Sequence, residues 1–355
     1  MWSRRVLCRR SSSSSSSSTR TVQVFDRALK RRQRDWSLGL VEGDYYDYLR
    51  VESASRLCDR LEDIKRSFPL TLDLGCHRGH IYKVVSSAEG LQGRGGIGGI
   101  ETLVQCDFSD KAVELRTLEG AGEAAGAVGT GGGDGAVGAV GAEGASSPTP
   151  PRVKQFVVHC DEEALPFKEH SFDAVLSSMS LHWVNDLPST LQQIKRVLKP
   201  DGAFVASMLG GSTLQELRYC FYLAEQERRG GLSSHTSPFA LPSDVAGLMQ
   251  GAGFSLPTID VDTVTLSYPD AFTLMEHLVN MGEGTASLSR QFAVGKDTFL
   301  AAAALYQELY GLEDGSVTAT FQIIYMIGWS PHESQPKACQ RGSGTAKIGA
   351  IREKV

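Results

Sequence analysis

Four short stretches of this 355-residue chain put acids and glycines where a nucleoside could be held. Leu72-Asp73-Leu74-Gly75-Cys76-His77-Arg78-Gly79 is an apolar run that ends in an acid and then a glycine-spaced turn. Asp107, followed by Phe108, closes a second apolar run; Asp161-Glu162 follows a third; Phe172 to Ser178 is the fourth. A strand stopping at Asp73 leaves backbone carbonyls at a sheet edge. Gly75 lets the chain turn with no Cβ between backbone and ligand, Cys76 lies in the turn, and Gly79 is expected to let the next helix pack close to the strand. A carboxylate such as Asp107 at a strand end can accept two hydrogen bonds from ribose hydroxyls; the alternative is a turn or N-cap aspartate, with Ser109 and Asp110 as rival caps. Asp161-Glu162 offers acids at the same edge or, more blandly, an acidic turn before Leu165-Pro166-Phe167. The ordered series carries the argument, because each element would end a parallel strand at one edge of one sheet, where an open α/β fold binds its nucleoside.

The glycine spacing discriminates between cofactors. A nicotinamide dinucleotide wants Gly-x-Gly-x-x-Gly and a loop sized for a diphosphate; neither is present. S-adenosylmethionine (SAM) carries no phosphate and needs only a short turn. Methyl transfer from a sulfonium is an in-line displacement that rests on positioning and exclusion of water, so it demands no particular acid–base pair. The segment Ser177 to Trp183 would pass beside the methionine end of such a cofactor. His182 and Trp183 are therefore candidates to face a substrate, or else a satisfied surface imidazole and a core indole. No metal site is legible: among eight histidines, no pair with a nearby carboxylate stands out, apart from His332-Glu333 near the end of the chain. No catalytic residue can be assigned from the residue types alone.

The elements needed to hold these residues alternate. Lys154 to His159 and Phe172 to Ser177 read as strands. Leu187, Leu191, Ile194, Val197 and Leu198 recur at helical spacing, stopped by Lys199-Pro200-Asp201-Gly202, and Ala203 to Met208 returns as a strand. Such alternation implies parallel pairing with right-handed crossovers. Beyond Gly210-Gly211, Thr213 to Glu216 has the pattern of a capping box. Helices are expected from Ser243 to Gly253, over 271–281 and over 298–310. Strands are expected over Ile259 to Tyr268 and Phe321 to Trp329, the latter as the antiparallel edge of the same sheet. The expected fold is α/β: a Rossmann-like, mostly parallel sheet with an antiparallel edge strand and helices on both faces. Residues 22–69 form a polar helical segment whose apolar residues look too sparse for a core helix. Its Tyr45, Tyr46 and Tyr48 could pack a helix on the sheet edge or form a cofactor lid.

The expected organisation is a leader over 1–21, the helical segment over 22–69, the cofactor core over 70–211, a helical cap with edge strands over 212–331, and a tail over 332–355. Two stretches interrupt the core: Gly90 to Gly99, and an insert over 119–151 of Gly, Ala, Ser and Pro that has little to bury and reads as a flexible loop. The first twenty residues carry five arginines in a serine run and no acid, the composition of a mitochondrial transit peptide. Without those arginines the net charge moves from −5 to about −10, which argues against nucleic acid as a partner. Seven scattered cysteines with no Cys-x-x-Cys pair fit reduced thiols. No apolar run approaches a bilayer-spanning length.

The first turn resembles the Asp-Leu-Gly-Cys-Gly-x-Gly motif of class I SAM methyltransferases, departing from it at His77, where that superfamily has a glycine. An imidazole there needs room and an unusual backbone angle, and is expected to weaken cofactor binding. The third acidic stretch resembles the superfamily's third motif, which implies that Asp161 takes the adenine amino group and that the backbone NH of Glu162 meets a ring nitrogen. With Asp73, Gly75, Cys76, Gly79, Asp107, Phe108 and Ser178 these make up the expected cofactor-binding set. A narrower resemblance rests on Phe25-Asp26-Arg27 with Lys30-Arg31, Ser180 to Pro188, Lys199 to Gly202, Ser237-Pro238-Phe239, Asn280 to Glu283 and Tyr325 to Trp329. These segments are similar to the arginine-hydroxylase family of mitochondrial complex I assembly factors. The resemblance implies a protein in the matrix, peripheral to the inner membrane, that hydroxylates an arginine on an iron–sulfur subunit of NADH:ubiquinone oxidoreductase, alongside other assembly factors. It names no catalytic residue, metal or electron donor. The alternatives are a SAM methyltransferase acting on a protein or small carboxylic acid, since bacterial malonyl-carrier-protein methyltransferases share the order of elements, and an assembly chaperone with a relic cofactor site.

Overall fold

A computed structural model describes residues 22–87, 95–126, 153–231, 233–291, 294–337 and 341–343. The expected leader, most of the insert and the end of the tail lie outside the described residues.

Seven strands form one sheet: β1 (Leu70–Leu74), β2 (Thr102–Asp107), β3 (Lys154–His159), β4 (Phe172–Ser178), β5 (Leu198–Leu209), β6 (Ser255–Tyr268) and β7 (Val317–Trp329). Their order is β3-β2-β1-β4-β5-β7-β6. The first five run parallel; β7 is antiparallel to β5, and β6 antiparallel to β7. Strand order reverses between β1 and β4, so the tips of β1, β2 and β4 frame the crevice at which such sheets bind ligands.

The alternation of side chains divides the core. On one face Ala174, Leu176, Val205 and Ile323 pack with helices α3 (Tyr48–Glu62), α4 (His80–Val85), α7 (Gln215–Arg229), α9 (Ala271–Asn280) and α10 (Lys296–Tyr310). On the other, Leu72, Leu74, Val175, Phe204 and Ile324 pack with α6 (Leu187–Val197) and α8 (Pro242–Gly251). With both faces covered, the central strands bury nearly every side chain. Three further α-helices lie among the described residues: α1 (Arg27–Leu38), α2 (Gly43–Tyr46) and α5 (Asp110–Gly126).

Four expectations need correction. The N-terminal segment is not peripheral: α3 buries Leu49, Ala54, Leu57, Cys58 and Leu61 in the main core. Helix α1 buries Lys30, Arg34 and Ser37 with a single apolar residue, Leu38, so counting apolar positions understates how deeply it is packed. The last strand is not the edge. β7 has a neighbour on each side, and the edge is β6, whose Asp260 and Asp262 are ion-paired by Arg60, with Arg56 joining at Asp262; charge on an edge strand discourages further pairing. The capping box is not formed. Helix α7 starts after Leu214 at φ 53 without a side-chain cap, because Thr213 donates to the Gln322 carbonyl and Glu216 accepts from Thr320 on β7. Helix α5 also continues to Gly126, seven residues past Glu119 where the loop was expected to begin; alanine there favours helix.

Candidate functional site

The strand-tip acids do converge, but helix α1 lies across them. Asp107 ends β2, Asp161 and Glu162 follow β3, and Ser180 follows β4. Arg34 reaches in from α1: its Nη1 donates to Asp107 Oδ1 at 2.9 Å and to Glu162 Oε1 at 3.1 Å, and its Nη2 donates to Ser180 Oγ at 3.1 Å. Arg27, two turns earlier on the helix, bonds Asp161 and Glu162 Oε2, the latter at 2.6 Å. Both guanidiniums stand over the Phe108 ring, at 4.2 and 4.3 Å from its centroid. Asp107, Glu162 and Arg34 are buried. Burial pushes the Glu162 carboxyl up, but the Arg34 and Arg27 charges override it and hold it down at about 2. Burial likewise opposes the charge on Arg34, and Asp107 with Glu162 more than restore it, raising it above the ordinary guanidinium value.

Asp107 and Asp161, the acids expected to meet the ribose and the adenine, are thus engaged by α1. Asp107 Oδ1 also accepts from Ser109 N at 2.9 Å, and Oδ2 from His77 N at 3.0 Å. With α1 seated, these residues do not fit the nucleoside of SAM.

The other expected residues divide. Gly75 sits at φ 76, and a Cβ there would overlap Ser180, so its glycine is required by the protein's own packing rather than by a nucleoside alone. Gly75 N and Cys76 N both donate to the Cys106 carbonyl, at 2.8 and 3.0 Å. Gly79, at φ 69, leaves space for the Arg116 guanidinium rather than for a helix against the strand. Asp73 is buried with only a 3.4 Å bond from Gln105 Nε2, and burial pushes its carboxyl up to about 7. Ser178 does not join the acid cluster; its hydroxyl meets Ser53 of α3 at 3.3 Å and Ser207 of β5 at 3.4 Å. Five described cysteines, Cys58, Cys76, Cys106, Cys160 and Cys220, are free.

His182 and Trp183 are both buried, which corrects the surface reading of His182 and supports the core reading of Trp183. Glu283 Oε2 accepts from Trp183 Nε1 at 2.8 Å and lies 3.1 Å from His182 Nε2, while its other oxygen pairs with Arg50. Lys30 Nζ lies 3.1 Å from the Trp183 ring centroid and donates to the carbonyls of Gly282 and Gly284 at 2.9 and 3.0 Å. Burial drives Lys30 well below the ordinary lysine pKa, with Glu283 opposing. A small cavity touches this group, lined by Arg50, Glu283, Met179, Phe239, Leu278 and Met281 among others.

His77 adopts φ 50, the unusual angle expected of an imidazole in the glycine turn. Its ring stacks toward His80 at 6.1 Å between centroids. Burial lowers the pKa of both imidazoles, and for His80 the Asp47 carboxylate opposes that effect.

The sequence assigns no site role to Arg34, Glu283, Ser180 or Asp47, although Ser180 and Glu283 fall in segments that carry the family resemblance. A signal for α1 was available: Arg27, Lys30 and Arg34 recur at i, i+3 and i+7, a cationic stripe on one helical face, opposite a series of acids elsewhere in the chain. Nothing local marks Glu283 or Asp47, which meet their partners only through long-range packing.

Comparison with known proteins supplies the remaining facts. Residues 139–206 match the family described as a methyltransferase domain. The zebrafish (Danio rerio) protein "Arginine-hydroxylase NDUFAF5, mitochondrial" is 43% identical over 94% of this chain and 91% of its own length. The human protein of the same name is 43% identical over 94% of this chain and 85% of its own length. A malonyl-[acyl-carrier protein] O-methyltransferase of Gallionella capsiferriformans is 34% identical over 50% of this chain and 59% of its own length.

Proposed function

Because this chain belongs to the family of the mitochondrial arginine hydroxylases NDUFAF5, we propose that it hydroxylates an arginine side chain on an iron–sulfur subunit of NADH:ubiquinone oxidoreductase during early assembly of that complex. The observation that carries the reading beyond kinship is the acid chamber itself. Asp107, Glu162 and Ser180 hold one guanidinium, and Asp161 with Glu162 hold another. Planar carboxylate pairs recognise guanidinium by shape as well as charge. A chamber built for that group suits a protein-arginine substrate that exchanges with α1.

The proposal extends to place and partners: the matrix, peripheral to the inner membrane, with other assembly factors and without nucleic acid. No helix among the described residues is long and apolar enough to cross a membrane, and the net charge is acidic. SAM binding at these acids requires displacement of α1 from Asp107, Asp161 and Glu162.

A second reading has a specific observation in its favour. The similarity to an O-methyltransferase over half the chain supports methyl transfer to a protein or small carboxylic acid. Mass spectrometry of the complex I iron–sulfur subunits from cells with and without this protein separates the readings. A peptide heavier by one oxygen, lost in the deficient cells, is the expected result. A dependent gain of one CH2 would establish the methyltransferase instead, and subunits unmodified in both would leave an assembly chaperone.

A further inference from the structure

We propose that Asp47, His77 and His80 form a binding site for one divalent transition-metal ion, beside the glycine turn. The three come from separate places. Asp47 lies between α2 and α3, His77 sits inside the turn after β1, and His80 opens α4. One ligand atom from each lies within 4.8 Å of the others, and all three residues are buried.

The site is polar without being satisfied. Both oxygens of Asp47, both ring nitrogens of His77 and Nε2 of His80 lack hydrogen-bond partners. Buried polar atoms are rarely left so, because each forfeits its hydration without a hydrogen bond in return. Asp47 Oδ2 is ion-paired with Arg78 Nε at 3.0 Å and lies 3.4 Å from His80 Nε2, but neither contact has the direction of a hydrogen bond. Arg78 also donates from Nη2 to the Ser37 carbonyl at 2.8 Å, and Asp47 Oδ1 has no donor. A cation among these atoms would satisfy one nitrogen of each imidazole and one carboxylate oxygen together.

Backbone strain adds an independent argument. His77 holds φ 50 at a position where glycine would be free of penalty. A non-glycine residue kept in that region and pointing an unpartnered imidazole at two other potential ligands is the kind of outlier that functional sites retain.

The donor set names the class of ion. Two imidazoles and one carboxylate suit zinc, cobalt or ferrous iron and disfavour magnesium and calcium, which prefer all-oxygen shells. Three protein ligands leave at least one coordination position open to water or a substrate atom.

The inference stands on these three side chains and not on the proposed hydroxylation. Its test therefore reads metal binding alone, and a negative mass-spectrometric result would leave it standing. The full chain, stripped with chelator, is titrated with cobalt(II) and followed by visible absorption. The expected result is a saturable band with one ion per chain, weakened more than about tenfold in His77→Ala and in His80→Ala. Thermal unfolding is measured in parallel, where zinc(II) should raise the Tm of the wild type and leave that of the double variant unmoved. Absence of saturable binding by the wild type, or equal binding by the double variant, overturns the site. If a variant does not fold, the wild-type stoichiometry and Tm shift still decide.

Discussion

Glu162 and Asp73 are two buried carboxyls at one sheet edge with opposite fates. Glu162 has two guanidiniums and the Ser180 hydroxyl within hydrogen-bond reach and stays ionised, at about 2. Asp73 has one long bond from a carboxamide and is pushed up to about 7. The difference has a measurable consequence. Unfolded Asp73 ionises near 3.8 and folded Asp73 near 7, so between those values unfolding releases a proton and stability falls as pH rises. Asn cannot ionise. Asp73→Asn should therefore gain on the wild type as pH rises from about 4 to about 7 and keep that gain above it. Urea unfolding at about pH 4.5 and about pH 8 reads this; a difference between variant and wild type that does not change with pH would mean that Asp73 is ionised throughout. Gly75→Val, by contrast, cannot report on a cofactor. Its Cβ would overlap Ser180 and its backbone would be held at φ 76, so any loss of binding would be confounded with loss of fold.

At the scale of elements, α1 is the unusual one. A helix normally buries an apolar face; α1 buries Lys30 and Arg34 beside one apolar residue, Leu38, so paired charge makes up much of its buried face. A buried pair broken on one side costs about 3–5 kcal/mol, since the remaining charge is stranded. The helix is therefore held firmly only while the acids need it, and a ligand able to satisfy Asp107 and Asp161 would compete with it directly. Removing the plug should reveal this. The double substitution Arg27→Ala with Arg34→Ala should bind SAM about tenfold or more tightly than the wild type by calorimetry. If the wild type binds SAM as tightly as the double variant, α1 does not guard the acids, and the chamber would have to be read without competition. The same helix carries Lys30 onto Trp183 and the carbonyls of Gly282 and Gly284. One displacement of α1 would thus disturb both the acid chamber and the Glu283 group.

Over the whole molecule, the first helices and the last strands close one core. Leu57 and Leu61 of α3 belong to the same cluster as Val205 of β5 and Phe321 and Ile323 of β7, residues more than 250 positions apart in the longest case. The N-terminal segment is therefore expected to be indispensable to the fold. Leu57→Ala should cost about 2–5 kcal/mol in urea unfolding, the range of a core truncation. A cost well under 1 kcal/mol would return α3 to the periphery.

What was legible in the sequence is what short-range physics dictates. The sequence places β3 at its observed limits and β4 within one residue of them, and it places the acids of β2 and β3 at one sheet edge, because strand ends are marked by runs of apolar residues and turn glycines that neighbours in the chain decide. His77 was seen to need an unusual backbone angle, because a side chain in a glycine turn meets its own backbone first. The rest depended on which distant surfaces meet. A cationic stripe is equally compatible with water until packing sets it against acids at the tips of two strands. Asp47 and His80 carry no mark of each other, and which strand lies at the edge follows from the order in which strands pair. Burial turns such meetings into ionisation states, unpartnered atoms and closed chambers, and burial is a property of the folded chain alone.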